Sequence, residues 1–344
     1  MKFSYFALII LTTLTLSCKT EKKVSEYFLA GNSAILYEGR TDQLNDSAVA
    51  LISSGSYAKM KVVGDSCTFF ISNENQDHSY VAIEVNEDYK GRFLVDRNPI
   101  GLKLSSSDTS NIKIYKATEA TTGDIIFNKI LAENLLEAKA EEKPLIEFIG
   151  NSITCGMGAQ REEIPCDTAE WYDQHNAYLA YGPRAARTLE ANFRLSCVSG
   201  MGMYRNWNDE DQPVMPEVYH NLRLNADSSK TVSIDRKPDL VSIALGTNDL
   251  SLGDGEKERS DFSQEKFVEN YIGFVEKIFQ CFPETKVTLL TSPMIGENEQ
   301  GILLESLQKV RDHFTDKPVF VFEFEHNFWD HVQMLILPSR FRIF

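Results

Sequence analysis

The sequence predicts two domains, an antiparallel β-sandwich followed by an α/β domain built on a doubly wound parallel sheet. Short alternating segments separated by turn residues recur before residue 140, a spacing typical of a sandwich. From Pro144 onward, apolar strands alternate with amphipathic helices, which is the pattern of a parallel sheet covered on both faces. The charged stretch from Glu137 to Lys143 separates the two patterns, so we expect one domain over residues 32–142 and the other over residues 143–344.

The sandwich prediction depends on segments in which apolar and polar residues alternate. Such alternation gives a strand one buried and one solvated face, because successive side chains point to opposite sides. The clearest segments cover residues 59–63, 68–71, 80–85, 91–95 and 111–116.

The α/β prediction depends on short apolar runs and on helices with one apolar face. The runs are typical of buried strands, and they end near Ile149, Val198, Leu245, Leu290 and Phe322. Helical spacing covers residues 267–279, with Pro283 ending that helix, and residues 302–314.

Ser152 is the first candidate for chemistry, since it comes just after the apolar run that breaks at Gly150. Open α/β sheets carry their reactive groups at the carboxyl ends of the strands. A serine that begins the following helix gains exposure and the partial positive charge of the helix N-terminus, which favours an oxyanion. Ser152 is therefore a candidate nucleophile for an ester carbonyl. The alternative is that Ser152 only caps the helix.

Two later segments offer hydrogen-bond donors that complement a nucleophile. Gly200 lies in the segment Val-Ser-Gly-Met-Gly and lets a main-chain N–H approach a substrate oxygen. Asn248 lies in Gly-Thr-Asn-Asp after the next strand and offers a side-chain amide. Together with the Ser152 N–H, these groups supply up to three oxyanion donors, each typically worth about 10²–10³ in rate. Each segment alone also has an ordinary explanation as a turn or loop.

In these blocks the chain resembles the SGNH (GDSL-type) hydrolase superfamily, and within it carbohydrate esterase family 2. The superfamily blocks correspond to Gly150-Asn151-Ser152, Gly200 and Gly246-Thr247-Asn248-Asp249. The closer resemblance rests on residues 148–156, 180–183 and 198–206 and spans about residues 32–322. Asn151 stands where the superfamily usually carries aspartate.

The resemblance implies a jelly-roll sandwich, an SGNH-type sheet and a serine esterase that removes O-acetyl groups from polysaccharide of the acetylated xylan or mannan class. It implies an acetyl-Ser152 intermediate and no cofactor. It also implies a histidine base in an Asp-x-His-Pro type motif after the last strand. This chain lacks that motif, and a truncated or altered C-terminal end is one expectation that follows. We take His331 as the candidate base, with His326 or no base at all as alternatives.

Composition limits the partners. Formal net charge is 35 − 50 = −15, which argues against nucleic acid and anionic membrane surfaces and fits a neutral glycan. No cysteine or histidine spacing indicates a metal site. Three aromatic residues are candidates for stacking on sugar rings or for ordinary packing: Trp171, Tyr204 and Trp207.

The first 18 residues read as an export signal rather than as part of the fold. The apolar run from Phe3 to Leu16 is too short to span a bilayer, and Leu16-Ser17-Cys18 resembles a bacterial lipoprotein cleavage site. We expect a lipid anchor at Cys18 and a periplasmic or cell-surface location, with ordinary cleavage nearby as the alternative.

The other cysteines leave their pairing open. A Cys155–Cys166 disulfide beside Ser152 is one expectation, and buried free thiols at Cys67, Cys197 and Cys281 are another.

Two functions compete with the esterase. One is a glycan-binding protein that lacks its catalytic base, and the other is an SGNH esterase acting on a different ester.

Overall fold

Two β-sheets divide the chain into an N-terminal and a C-terminal domain. The computed structural model describes residues 24–73, 78–104, 109–165, 168–208, 212–233, 236–255 and 258–324. The strands of the first sheet are β1 Glu26–Leu29, β2 Leu36–Glu38, β3 Thr41–Asn45, β4 Ala48–Leu51, β5 Tyr57–Asn73, β6 Tyr80–Val85, β7 Asp88–Leu94, β8 Ile100–Lys103, β9 Thr109–Lys116 and β10 Ile125–Leu136. Those of the second are β11 Leu145–Gly150, β12 Asn192–Cys197, β13 Leu240–Ala244, β14 Lys286–Leu290 and β15 Val319–Phe322.

Helices occur almost entirely in the second domain. The α-helices are α1 Ser152–Cys155, α2 Tyr181–Thr188, α3 Met215–Val218, α4 Thr247–Leu250, α5 Gln264–Cys281 and α6 Glu297–His313, and short 3-10 helices cover Ala120–Thr122, Trp171–Gln174 and Ala177–Leu179. None of the helices within the described ranges combines the length and the apolar character that crossing a bilayer requires.

The N-terminal sheet is antiparallel, as predicted, and wraps around one apolar core. Its main path runs β3-β4-β10-β5-β9-β6-β7, while β1 pairs with β10 and both β2 and β8 pair with β5. Alternate side chains from β4, β5, β6, β9 and β10 meet in that core. Because strands on opposite sides of the core share it, the sheet packs as a sandwich.

The strand β5 corrects one sequence expectation, since residues 59–63 and 68–71 belong to one strand rather than two. Gly64 and the two polar residues after it suggest a turn in the sequence. In the structure Gly64 has φ +116°, and the pairing with β10 shifts register between Ala132 and Asn134. A bulge of this kind bends a strand without ending it, so β5 pairs with β9 before the bend and with β8 after it.

The C-terminal sheet is parallel, with strand order β12-β11-β13-β14-β15. α2 packs on one face, where Ala185 joins the cluster around Phe148. α5 and α6 pack on the other, where Phe274 and Leu307 join the cluster around Ile243. The predicted doubly wound α/β domain is therefore confirmed. α6 begins five residues before the predicted start at Ile302, because its first turn is polar and adds nothing to the apolar stripe.

A buried arginine joins the two domains. Arg40 comes from the N-terminal domain, and its guanidinium donates to the main-chain oxygens of Asn221 and Tyr219 and to the Ser196 hydroxyl at 2.7–3.3 Å. Burial lowers the pKa of Arg40 to about 10, which leaves it charged at neutral pH. The domains thus share an interface that contains a fully buried charge, each of whose three guanidinium nitrogens donates a hydrogen bond.

Candidate active site

Sheet topology brings the three predicted blocks together. β11 lies between β12 and β13, and Gly150 at its end pairs with Cys197 on one side and Ala244 on the other. Ser152, Gly200 and Asn248 each follow one of these strands within four residues. Neighbouring strands are about 4.8 Å apart, so the three residues begin side by side. In a sheet of this strand order, the ends of β11 and β13 form the switch point where open α/β sheets bind ligands.

Ser152 is the first residue of α1 and is not its cap. The cap is Asn151, whose Oδ1 accepts a hydrogen bond from the Ile153 N–H at 3.2 Å. Ser152 is partly exposed, and within the described part of the chain no partner hydrogen-bonds its hydroxyl. The capping alternative for Ser152 is therefore wrong, because the neighbouring asparagine fills that role and leaves the serine hydroxyl free for other chemistry.

Gly200 occupies a backbone conformation that favours glycine, with φ +76°. Its carbonyl oxygen accepts a hydrogen bond from the Trp207 N–H at 2.8 Å. A side chain at Gly202 would meet the Arg205 main-chain oxygen at 1.9 Å, so the loop passes very close to itself there. The loop is tightly folded, and Gly200 lies on its partly exposed side.

Asn248 lies in α4 and is hydrogen-bonded to the Gly200 loop. Its side-chain amide donates to the main-chain oxygen of Met201 at 2.7 Å. An amide nitrogen carries two hydrogens, so this bond fixes the side chain and leaves a second N–H. Asn248 is 8% exposed. The structure therefore brings Asn248 and the Gly200 loop into direct contact.

Asp249 contributes to the site in a way that the sequence did not reveal. Its buried carboxylate accepts hydrogen bonds from the N–H groups of Met203, Tyr204 and Arg205 at 2.8–3.2 Å. Burial raises the pKa of Asp249, although these main-chain donors act in the opposite direction. The signal available in the sequence was an aspartate five residues after a buried strand. A carboxylate that is buried at such a position needs hydrogen-bond partners.

The cysteine pairing differs from the expected one. Cys155 pairs with Cys197, with their Cα atoms 5.6 Å apart, and Cys166 lies outside the described residues. α1 turns back over the sheet edge and brings Cys155 to the end of β12. The expectation of a Cys155–Cys166 disulfide, and that of a free thiol at Cys197, are both wrong for this reason. Cys67 and Cys281 form no disulfide with any other described cysteine.

The aromatic candidates separate into two kinds. Tyr204 packs against Phe262 and Phe267, and its hydroxyl accepts from the Ser263 N–H at 2.9 Å, so it belongs to the core. Trp171 and Trp207 are 41% and 42% exposed. Trp207 lines a cleft of about 520 Å³, and the side chains and backbone that share it include Thr121, Gly200, Asn206, Asn208, Asn225 and Asp227.

His326 and His331 lie outside the described residues, but the chain that leads to them can be followed to Phe324. The Phe324 N–H donates to Thr291 Oγ1, and its carbonyl oxygen accepts from Gln300 Nε2, both at 2.9 Å. Phe324 lines a small apolar depression together with Ile153, the residue after Ser152. The last described residues thus lie at the same edge of the sheet as the candidate nucleophile.

No group of three or more potential metal ligands is found within the described ranges. His175 is fully buried, with Nδ1 3.3 Å from the Trp171 main-chain oxygen, and His78 contacts the Asp173 carboxylate at 3.0 Å. Both histidines hold the 171–176 segment and belong to structural networks.

Comparison with known proteins gives two adjacent family matches. Residues 148–316 match the GDSL-like Lipase/Acylhydrolase family, and residues 37–138 match the carbohydrate esterase 2 N-terminal domain. A solved family two carbohydrate esterase from Clostridium thermocellum, in complex with cellohexaose, superposes with a TM-score of 0.75 at 24% identity, over 85% of this chain and 89% of that one. This confirms the predicted sandwich and SGNH-type sheet.

Curated relatives give a second comparison. The chain is 28% identical over 276 residues to a cellulase/esterase, CelE, of Acetivibrio thermocellus, covering 77% of this chain and 32% of the relative. It is 28% identical over 176 residues to an acetylxylan esterase / glucomannan deacetylase of Cellvibrio japonicus, covering 50% of this chain and 48% of the relative. The chain thus spans about a third of the length of the first relative and about half of the second.

Proposed function

We propose that this chain, which belongs to the family 2 carbohydrate esterases, is a serine esterase that removes O-acetyl groups from polysaccharide. It combines a match to the carbohydrate esterase 2 N-terminal domain with a match to the GDSL-like lipase/acylhydrolase family. The observation that carries the proposal is the meeting of Ser152, Gly200 and Asn248 at the ends of three adjacent strands. The capped α1 leaves the Ser152 hydroxyl uncommitted, which suits a nucleophile better than a structural serine.

The proposed reaction proceeds in two acyl-transfer steps. Ser152 Oγ attacks the acetyl carbonyl carbon and passes its proton to the histidine base, and the carbonyl oxygen becomes an oxyanion held by the Ser152 N–H, the Gly200 N–H and the Asn248 amide. The bond to the sugar oxygen breaks, and that oxygen takes a proton from the base. Water then attacks acetyl-Ser152, releasing acetate and restoring the hydroxyl. No cofactor takes part.

His331 is the proposed base, with His326 as the second candidate. The chain leaves the described region at Phe324, beside Ile153, and His331 follows seven residues later. Seven residues reach at most about 25 Å, which suffices for a loop that turns back toward Ser152. His326 follows after two residues, a reach of about 7 Å, and suits only a direct approach.

A neutral, hydroxyl-rich glycan of the acetylated xylan or mannan class is the proposed substrate. The net charge of −15 disfavours anionic substrates. The cleft beside Gly200 offers the exposed ring of Trp207 and side-chain amides at Asn208 and Asn225, which are groups that stack on and hydrogen-bond sugars. Thr121 extends this wall from the N-terminal domain. Binding of cellohexaose by the Clostridium thermocellum esterase supports an oligosaccharide in such a cleft.

Export and lipid anchoring at Cys18 complete the proposal. Residues 1–18 lie outside the described residues, so support comes from the short apolar run and from Leu16-Ser17-Cys18. Only this anchor would bring the protein to a membrane, in the periplasm or at the cell surface. Fatty-acid labelling of wild type and Cys18→Ala in a bacterial host tests this part, and equal labelling of both would overturn it.

Acetate release from acetylated xylan and glucomannan tests the activity. We expect release by the wild type and by Ser66→Ala, an exposed serine of the N-terminal domain, and loss of at least 10³-fold with Ser152→Ala. Equal release by Ser152→Ala and wild type would refute the role of Ser152. Oligosaccharide binding without any acetate release would favour a glycan-binding protein, and release only from aryl acetates would favour another ester substrate.

A further inference from the structure

A carboxylate of the N-terminal domain contacts the loop that carries Gly200. Glu119 lies between β9 and the 3-10 helix Ala120–Thr122, and it is 1% exposed. Its Oε2 accepts hydrogen bonds from the Ser199 N–H at 2.9 Å and from the Ser199 hydroxyl at 2.5 Å. Ser199 directly precedes Gly200, so this contact crosses the domain interface at the candidate oxyanion donor.

The segment that carries Glu119 is itself held in place. The Glu119 carbonyl oxygen accepts from the Thr122 hydroxyl at 2.8 Å, and its Oε1 accepts from the Thr121 hydroxyl. Lys116 Nζ closes the same segment by donating to the Gly123 oxygen. A carboxylate on such a rigid segment can fix a partner's position, because little of the contact energy is lost to ordering the carboxylate.

The electrostatic surroundings keep Glu119 ionised. Burial alone raises the pKa of Glu119, but His175, Ser199 and Thr121 outweigh burial and lower it below its ordinary value. His175 belongs to the C-terminal domain, and its Nε2 lies 3.7 Å from Glu119 Oε2. An ionised acceptor forms hydrogen bonds about twice as strong as a neutral one, so the hold on Ser199 is firm.

Two contacts hold the peptide groups that flank the one joining Ser199 to Gly200. The Ser199 N–H is bound to Glu119, and the Gly200 carbonyl oxygen is bound to the Trp207 N–H at 2.8 Å. The direction of the Gly200 N–H is set by the backbone dihedral angles of Ser199 and Gly200, which lie between these two hydrogen-bonded groups. Glycine at this position, with φ +76°, has no side chain to restrain the peptide. Without Glu119, one of the two anchors is lost.

We propose that Glu119 is a positioning residue of the N-terminal domain, which aims the Gly200 N–H at the acyl oxygen by holding Ser199. The inference rests on the proposed esterase function and gives the sandwich domain a part in the catalytic site beyond binding glycan. It predicts that loss of the carboxylate lowers kcat while KM changes little, because the donor acts on charge that develops in the transition state.

The test compares Glu119→Ala, Glu119→Gln and the control Asp124→Asn in the full chain. Asp124 hydrogen-bonds Arg223 across the same domain interface at 2.7–3.2 Å but does not contact the Gly200 loop. With a nitrophenyl acetate we expect Glu119→Ala to lower kcat by about 10- to 100-fold, below the ceiling for outright loss of a donor. Glu119→Gln keeps one acceptor oxygen and restores most of the loss, and Asp124→Asn stays within about twofold of wild type.

Two further readouts separate positioning from general damage. Amide hydrogen exchange of residues 198–206 rises in Glu119→Ala and not in Asp124→Asn, because Ser199 loses its acceptor. Inhibition by an alkylboronic acid, whose tetrahedral adduct on Ser152 uses the same donors, weakens in parallel with kcat. If Ser152→Ala is inactive while Glu119→Ala keeps wild-type kcat and exchange, the positioning inference is overturned and the esterase proposal stands. If the wild type releases no acetate, the esterase proposal fails and this inference fails with it.

Discussion

The Asn248 side-chain amide donates to the Met201 main-chain oxygen across 2.7 Å, and this bond links α4 to the loop that carries Gly200. The two residues are 47 positions apart in the sequence. The bond uses one N–H of the amide and orients the other, so the same side chain holds the loop and offers a donor. A substitution at Asn248 therefore tests structure and chemistry together.

Asn248→Asp keeps the size of the side chain and removes both donors. We expect kcat for acetate release to fall by about 10²–10³, the usual cost of one oxyanion donor. We also expect a lower melting temperature, because a carboxylate next to the Met201 oxygen replaces attraction with repulsion. Asn45→Asp is the matched control, since Asn45 is exposed and uses only its oxygen, which aspartate retains. A folded Asn248→Asp protein with more than half of the wild-type kcat would exclude Asn248 as a donor.

The strands around this site were largely predictable, because local apolar runs encode buried parallel strands. The apolar runs predicted to end near Ile149 and Leu290 correspond to β11 and β14, and α5 contains the predicted helix of residues 267–279. The three superfamily blocks identified the candidate residues that follow the ends of these strands. The apolar runs do not reveal which strands become neighbours. The structure shows that β11 lies between β12 and β13.

Contacts between distant segments were not predictable. Glu119 and Ser199 are 80 residues apart, and neither lies in a pattern that marks the other. Cys155 bonds to Cys197 rather than to Cys166, which is nearer in the sequence. The parallel pairing of β11 with β12 brings the Cys197 sulfur close to Cys155. The bend at Gly64 depends on the partner strand β10 and was mistaken for a turn for the same reason.

The disulfide gives a second prediction. Cys155 and Cys197 close a loop with a sequence separation of 42, for which chain entropy predicts a contribution of about 4 kcal/mol to the free energy of unfolding. We expect the double variant Cys155→Ala/Cys197→Ala to lose about 3–4 kcal/mol in urea unfolding, whereas Cys281→Ala, which alters a free thiol, loses less than about 1 kcal/mol. Peptide mapping without reduction identifies the pair directly, and recovery of a Cys155–Cys166 peptide would contradict the structure.

Asn151 and Asn176 provide a third prediction, because they cap helices in the same way but differ at their nitrogens. Each accepts a main-chain N–H through Oδ1. Among the residues that the structure describes, Asn151 Nδ2 is buried without a partner, whereas Asn176 Nδ2 donates to Tyr89 and Gln160 at 2.6–2.8 Å. An unpaired buried donor costs about 1–3 kcal/mol.

We therefore expect Asn151→Asp to preserve or raise the melting temperature, since aspartate keeps the cap and removes the unpaired donor. Asn176→Asp places a carboxylate oxygen against Gln160 Oε1, an acceptor that it cannot bond in its ionised form, whereas the Tyr89 hydroxyl can turn to donate to it. We expect a loss of about 2 kcal/mol from the contact with Gln160. Differential scanning calorimetry of both variants measures the contrast. A larger loss for Asn151→Asp than for Asn176→Asp would show that the assignment of the Asn151 amide is incorrect.

Glu141 gives a fourth prediction, on the dependence of stability on pH. Its carboxylate bridges Lys59 at 2.5 Å and Lys143 at 2.8 Å, and so ties the segment between the domains to β5. Partial burial raises the pKa of Glu141, but the two lysines outweigh it and lower the pKa to about 2. A carboxylate with a depressed pKa in the folded state stabilises the protein above its ordinary value of 4.5, and this contribution is lost as pH falls toward 2.

Glu141→Gln removes the ionised group and keeps the side-chain length, so its difference from wild type isolates this contribution. At pH 7 we expect wild type to exceed Glu141→Gln by at most about 1 kcal/mol in free energy of unfolding, because the bridge is partly exposed and screened. Urea unfolding at several pH values should show this difference constant above about pH 5 and shrinking progressively below it. Glu305→Gln is the comparison for an isolated surface pair, since Lys309 also lowers the pKa of Glu305 but the pair lies on the exposed face of α6, away from the domain junction. A difference between wild type and Glu141→Gln that grows as the pH falls from 5 to 3 has the opposite sign and would rule out the bridge as a stabilising contact.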